Sequence, residues 1–245
     1  MIRKNDQKHI IFFESAVADY IEIGFKEGPG GSAFKDRNAY SFHIYCPYVN
    51  NSGVPKNELL CHEYDTTMIE VRTRDADKLG LAGLMTEFGA LDSTKGGLTE
   101  ANFIMYKADL HLLGHIYWNF KTYDDITTSN LDGTESLYYK NGTLQTAKVK
   151  VLSRPYPKSV FGNLRYIYYN EKTEEFSLDF TIFNDSCLGE TEMYYNEKMN
   201  YPNGIYYYIN EQNAFQVLLG HNSIILRQIS QLSTGKWISF VMHKR

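Results

Sequence analysis

Six prolines, three cysteines and two tryptophans are few for 245 residues, and each scarcity removes a class of protein. Three cysteines cannot make a disulfide-dense scaffold, so the chain has to be held by an apolar core. Charge of one sign is also missing: 25 basic residues stand against 29 acidic ones, net charge -4, which argues against nucleic acid or an anionic membrane as partner. No apolar run approaches the roughly 20 residues of a membrane helix. Met1 to His9 is charged and lacks the apolar stretch of a signal peptide. There is no internal repeat, no low-complexity tract and no G-x-S-x-G elbow, which disfavours a serine hydrolase.

Two partial motifs are incomplete in informative ways. Gly28-Pro29-Gly30-Gly31 has no Lys-Ser/Thr after it, so it is not a phosphate loop and reads as a flexible active-site loop. His111 and His115 are four apart, but Gly114 interrupts them and no Glu accompanies them, which argues against zinc. No metal and no cofactor is implied.

What is present is 43% hydrophobic and 15% aromatic sequence, enough to bury a real core. Asn50-Asn51-Ser52, Asn141-Gly142-Thr143 and Asn184-Asp185-Ser186 fit the N-x-S/T acceptor pattern. Cys46 and Cys61 bracket a polar loop containing Pro and Gly that a disulfide closes readily. These features point to a secretory origin.

Up to about Asn130, short apolar strands alternate with helical stretches, the pattern of βα units around a parallel sheet. Candidate strands are Ile10 to Glu14, Tyr40 to Tyr45, Leu84 to Glu87 and Gly114 to Trp118. Phe103, Tyr106, Leu110 and Leu113 recur at three- and four-residue spacing and predict a buried stripe on a helix over Thr99 to Leu113, stopped by Gly114. A second helix over Thr66 to Leu79 is closed by Gly80. From about Ala147 the sequence turns to alternating Tyr-, Phe-, Ile- and Val-rich strands. In Phe176 to Ile182, the residues Phe176, Leu178, Phe180 and Ile182 face one way. At least seven such runs, ending in Lys236 to His243, predict an antiparallel β-sandwich, with Arg154-Pro155-Tyr156-Pro157 in the join.

In parallel-strand barrels chemistry sits at the C-terminal ends of strands. Glu87 closes the apolar segment Leu81-Ala82-Gly83-Leu84-Met85-Thr86, where a carboxylate is costly without a purpose. It reads either as a nucleophile or as an N-cap or ion-paired Glu at a sheet edge. His43 and Tyr45 are two apart, so on a strand they share a face. They read either as a constellation that binds a hydroxyl and orients a carboxylate, or as satisfied core residues. Trp118 offers a flat face to a sugar ring or fills the core. Glu14 is a second strand-end carboxylate.

Taken in order, Phe42-His43-Ile44-Tyr45-Cys46-Pro47, Thr86-Glu87-Phe88-Gly89-Ala90 and Trp118-Asn119-Phe120-Lys121-Thr122-Tyr123-Asp124-Asp125 resemble glycoside hydrolase family 5, and within it the endoglycosylceramidases. Ile11-Phe12-Phe13-Glu14 and Gly28-Pro29-Gly30-Gly31 are similar to the fifth-strand region of that group. The resemblance implies an α/β plus all-β chain: residues 1–145 as the C-terminal half of a (β/α)8 TIM barrel, strands five to eight, and residues 146–245 as a β-sandwich. It implies retaining cleavage between oligosaccharide and ceramide in glycosphingolipids, with Glu87 as nucleophile and Tyr45 orienting it. His43 bonds a substrate hydroxyl, and Trp118, Glu14 and Lys121 contact substrate.

The family's Asn-Glu acid/base on the fourth strand has no counterpart here, and Glu14 sits one strand too late to replace it. The expectation is therefore a chain inactive alone and prone to association, needing an N-terminal half-barrel. Membrane contact would come only through the lipid substrate, in a secreted or endolysosomal setting. The alternatives are a non-catalytic glycan- or glycolipid-binding protein, or a family 5 enzyme acting on β-glucans or β-glucosides.

Overall fold

The computed structural model describes residues 2–15, 24–121, 135–184 and 186–245. Two compact units divide the chain, Met1–Lys148 and Val149–Arg245. Helix α3, Thr146–Leu152, runs across that division, which falls three residues past the boundary expected after residue 145.

The first unit is a sheet of four strands in sequential order: β1 Ile11–Glu14, β2 Asn38–Ile44, β3 Ala82–Gly89 and β4 Gly114–Trp118. All three pairings are parallel, half the strand number of a closed (β/α)8 barrel. Helix α1, Glu58–Leu79, packs on β2 and β3, and α2, Lys95–Leu110, packs on β3, β4 and α1. One face of the sheet is thereby buried through Tyr40, Phe42, Met85 and Phe88 against Ile69, Ile104 and Met105.

Both helices depart from their sequence reading. α1 starts eight residues earlier than expected, where the Asn57 side chain accepts the amide of Leu60 as an N-cap. Its buried side includes Asp65, Arg72 and Asp75, polar residues that hide the apolar period. Arg72 and Asp75 are satisfied internally: Arg72 Nη1 lies 3.3 Å from Tyr40 Oη and 3.5 Å from Asp75 Oδ2, and Tyr40 Oη is 2.9 Å from Ser15 Oγ. In α2 the expected stripe is met only in part: Leu113, beyond the helix end, is buried and Phe103 stacks on His62. Tyr106 and Leu110 are exposed, while Ala101, Ile104, Met105 and Ala108 are buried, because small alanines let α2 sit close to its neighbours. α2 also ends before Gly114, which opens β4.

The Gly28–Gly31 segment is not at the active end of the sheet. Asn38 Nδ2 donates to the Pro29 carbonyl, as does Arg3 Nε, and Asn38 is the first residue of β2. In a parallel sheet this is the end opposite Glu14 and Glu87. The chain leaving the top of one strand has to return to the bottom of the next, and this glycine turn completes that return.

The second unit is a sandwich of two four-stranded sheets, ordered β10-β11-β8-β5 and β6-β7-β12-β9. The first joins Phe215–Gly220, Ser223–Gln228, Glu190–Tyr194 and Tyr156–Ser159, the second Asn163–Asn170, Glu175–Thr181, Trp237–Lys244 and Ile205–Ile209. Phe176, Leu178 and Phe180 of β7 meet Ile224, Leu226, Ile238, Phe240 and Met242 in one core. The period-two alternation read from sequence is therefore the packing pattern. Arg154 is buried and Tyr156 and Pro157 already belong to β5, so that segment lies inside the sandwich unit.

Two covalent and ionic features tie α1 down. Cys46, just after β2, is disulfide-bonded to Cys61 in the first turns of α1. Beside it, Asp65 of α1 and Glu100 of α2 are both fully buried, and His62 Nε2 stands 3.4 Å from Glu100 Oε2. Burial, reinforced by the neighbouring Glu100, raises the Asp65 pKa far above the ordinary carboxylate range, so Asp65 keeps its proton at neutral pH.

Two outcomes follow. A carboxyl raised in the folded state stabilises fully below its unfolded pKa, and that stability is lost as pH rises through its folded value. The thermal midpoint of this unit should therefore fall from pH 5 to pH 9, and the fall should be smaller in Asp65→Asn; equal pH slopes would exclude the pair as the cause. Replacing Cys46 and Cys61 together by Ala should lower urea-derived stability by about 3 kcal/mol, the chain-entropy value for a loop of about 15 residues.

Candidate active site

Regular alternation along β3 would set Glu87 on the same face as Met85, toward the helices. It does not stand there. Pairing with β2 runs Phe42 to Met85 and then His43 to Glu87, and pairing with β4 is broken in the same stretch, between Met85 and Phe88. Thr86 is thus the extra residue of a β-bulge, which shifts the side-chain alternation by one. Phe88 turns to the helix face, fully buried in edge contact with His115 and Tyr117. Glu87 turns to the opposite, inner face, beside His43.

There it meets two partners. Tyr45 Oη donates to Glu87 Oε2 at 2.7 Å, and His43 Nδ1 lies 3.3 Å from the same oxygen. Burial, and then the bond to Glu87, raise the Tyr45 pKa well above the usual phenol range, so the phenol keeps its proton and acts as donor. Both contacts fall on Oε2. On its other side His43 Nε2 is 3.2 Å from Glu14 Oε2. The strand ends thus carry a continuous chain, Glu14, His43, Glu87 and Tyr45.

Trp118 ends β4 opposite Gly89. Tyr117 faces Phe88, so alternation puts Trp118 on the inner face with Glu87. The Trp118–Asn119 peptide is cis. Gly89 has φ +134°, and a Cβ there would run into the Trp118 carbonyl and the Tyr117 ring. The Ala90 amide also donates to that carbonyl, at 2.9 Å. Lys121 is exposed and borders a separate hollow with Phe120, Tyr138 and Tyr139; Thr122 to Asp125 lie outside the described residues.

Glu14, expected to contact substrate, stands on the same rim with its Oε2 at ion-pair distance from His43. It does not serve as acid to Glu87. A retaining pair stands about 5 to 5.5 Å apart across the bond to be cut, whereas here the His43 ring fills the space between the two carboxylates. Among the described residues, one group has the ligand atoms for a metal, Cys46, Cys61 and Glu100. Its two sulfurs are joined to each other and offer no thiolate.

Parallel βα units thus gather a carboxylate, an imidazole and a phenol at the strand ends, the rim where parallel-strand barrels carry their chemistry. The comparisons agree. Residues 1–124 match the model of "Cellulase (glycosyl hydrolase family 5)" and residues 154–236 that of the "Glycoside hydrolase family 5 C-terminal domain". The chain belongs to glycoside hydrolase family 5.

It is similar to the endoglycoceramidase of Cyanea nozakii, 26% identical over 98% of this chain and 45% of the relative. With that of Hydra vulgaris it is 28% identical over 92% and 39%. The chain thus spans less than half the length of these curated relatives. Endo-glycoceramidase II from Rhodococcus sp., solved as a lactosyl-enzyme intermediate, superimposes with TM-score 0.73 at 18% identity, over 100% of this chain and 51% of that one. Sterylglucosidase 1 of Cryptococcus neoformans gives 0.72 at 16%, over 99% and 42%. The fold is the C-terminal half of a family 5 (β/α)8 barrel followed by a β-sandwich.

Gly89→Ala should cost at least about 2 kcal/mol, since it combines left-handed strain with a clash against backbone. Thermal unfolding measures it; a variant as stable as wild type would show that the turn after Glu87 is not fixed by Trp118.

Proposed function

We propose that this chain carries the nucleophile side of a retaining glycoside hydrolase that cleaves the bond between oligosaccharide and ceramide in glycosphingolipids. The observation that carries the reading is Glu87 on the inner face, held through one oxygen by Tyr45 and His43. A carboxylate with one oxygen fixed and the other presented is arranged to attack an anomeric carbon. The Tyr45 phenol keeps the attacking geometry and relaxes its hold as the carboxylate becomes an ester. The names of the two curated relatives support the lipid-linked substrate. A neighbour caught as a lactosyl-enzyme intermediate supports a covalent step.

In that step the Glu87 Oε1–C1 bond forms as the bond to the ceramide oxygen breaks, and the departing oxygen takes a proton. Glu14 is not placed to give it. We assign the acid to a residue outside those described here, in the length that the relatives have beyond this match. Trp118 supplies an apolar platform for the sugar ring, and membrane contact is made through the substrate's own lipid. The Cys46–Cys61 disulfide favours an oxidising, secreted or endolysosomal setting.

Treating a form of the protein that turns over lactosylceramide with 2-deoxy-2-fluoro-β-lactosyl fluoride should add one fluorolactosyl disaccharide to the Glu87 peptide, with loss of fluoride. Glu87→Gln should abolish turnover at unchanged thermal stability. The 245 residues alone should release no oligosaccharide, because losing a general acid costs a factor of about 100 to 10,000. An adduct on another carboxylate, or turnover by Glu87→Gln, overturns the assignment.

A further inference from the structure

Of the N-x-S/T triplets in the sequence, Asn141-Gly142-Thr143 sits at the tip of a short hairpin. Tyr138 and Leu144 form an antiparallel bridge, and the Gln145 amide donates to the Leu137 carbonyl at 2.8 Å. At the tip the Tyr139 amide donates to the Thr143 carbonyl, and the Gly142 amide to the Tyr139 carbonyl, both at 2.8 Å. Lys140-Asn141-Gly142 is therefore a three-residue loop whose last residue is left-handed, φ +81°, the form in which a glycine bulge closes a hairpin.

This geometry sets three side chains together. Tyr139 and Thr143 stand opposite each other across the hairpin and so share a face. Asn141 is drawn toward Thr143, because its Oδ1 accepts the Thr143 amide at 2.9 Å. Asn141, Gly142 and Thr143 are exposed, and Tyr139 beside them is 45% exposed. The turn uses the amide oxygen of Asn141, so a substituent on Nδ2 leaves the turn bond in place. Asn50, in the other triplet that lies wholly among the described residues, is partly buried, and its turn packs through the buried Gly53 on the backbone of Ala90 and Asp92.

We propose that Asn141 is an N-glycosylation site and that the first N-acetylglucosamine of its glycan lies against the Tyr139 ring. A pyranose ring has an apolar C–H face, which packs on an aromatic ring. The sugar covers an aromatic surface, Tyr139 with the 64% exposed Phe120, that otherwise stands open along one hollow. The donor is a polyprenyl-diphosphate-linked oligosaccharide. Its C1–O bond breaks as a bond from C1 to Asn141 Nδ2 forms, the amide nitrogen gives up one proton, and the polyprenyl diphosphate leaves.

The inference rests on the secreted or endolysosomal setting proposed above, and the two are separable. Carried by a cleavable export leader, the 245-residue chain is sent through the secretory route of a eukaryotic cell, leader removal showing that it entered. Peptide N-glycosidase in heavy-oxygen water, followed by peptide mass spectrometry, should find most copies labelled at Asn141 and fewer at Asn50. Asn141 bare after leader removal, or Asn50 labelled in preference to it, overturns the proposal. Asn141 labelled here upholds the site even where protein from its own source is bare, a result that counts against the setting alone.

The Tyr139 contact has its own readout. In glycosylated protein, Asn141→Gln should lower the thermal midpoint by about 2 °C more when Tyr139 is present than in Tyr139→Ala, the size expected of one aromatic contact in a chain of this length. Additive effects of the two substitutions overturn the stacking. Tyr139→Leu gives the same reading if the alanine variant does not fold.

Discussion

One inserted residue decides what this sheet can do. Without the bulge at Thr86, strict alternation would bury Glu87 among the side chains that pack on α1 and α2 and turn Phe88 into the cleft. A buried, unpartnered carboxylate on that face would cost several kcal/mol, and a phenylalanine on the other has no chemistry. With the bulge, Phe88 fills the core and Glu87 faces His43 and Tyr45. The strain of turning the chain immediately afterwards is taken by Gly89, the one residue type that tolerates both its positive φ and the closeness of the Trp118 carbonyl. Core packing and site geometry are thus settled by the same three residues.

The rest of the sheet supports that point from two sides. Tyr45, the donor to Glu87, lies beyond the last residue of β2, where backbone pairing no longer fixes the chain. Its neighbour Cys46 is bonded to Cys61 on α1, so the helix takes over the restraint that the sheet gives up. On the far side, His43 is held inside β2 itself and needs no such tether. A covalent crosslink is spent next to the less restrained of the two partners of Glu87.

Much of this was legible in the sequence, because its signals were local. His43 and Tyr45 are two residues apart, and Glu87 follows an apolar strand; strand geometry brings such residues to one face and one end. The sandwich alternation of Phe176, Leu178 and Phe180 could be read for the same reason. What was not legible depends on partners remote in sequence. The first turns of α1 escaped because Asp65, Arg72 and Asp75 face inward, and only Tyr40, Ser15 and Glu100 make that tolerable. The α2 stripe was met only in part because apolar spacing fits two faces of a helix, and the choice between them belongs to the surface it lands on. The bulge left no mark except a glycine two residues after the carboxylate.

The inner face is graded along the strands. Toward their starts it is apolar, with Phe12 and Ile116 each 52% exposed; toward their ends it is Glu14, His43, Glu87 and Trp118. A parallel sheet enforces this division, since every strand points the same way and all strand ends gather at one rim. Charge collected at that rim stays near solvent, and the apolar part lies below it. There Tyr45 donates to Glu87, and His43 stands at ion-pair distance from both Glu14 and Glu87. The common strand direction that orders the sheet is therefore also what sets the carboxylate of Glu87 beside Tyr45 and His43.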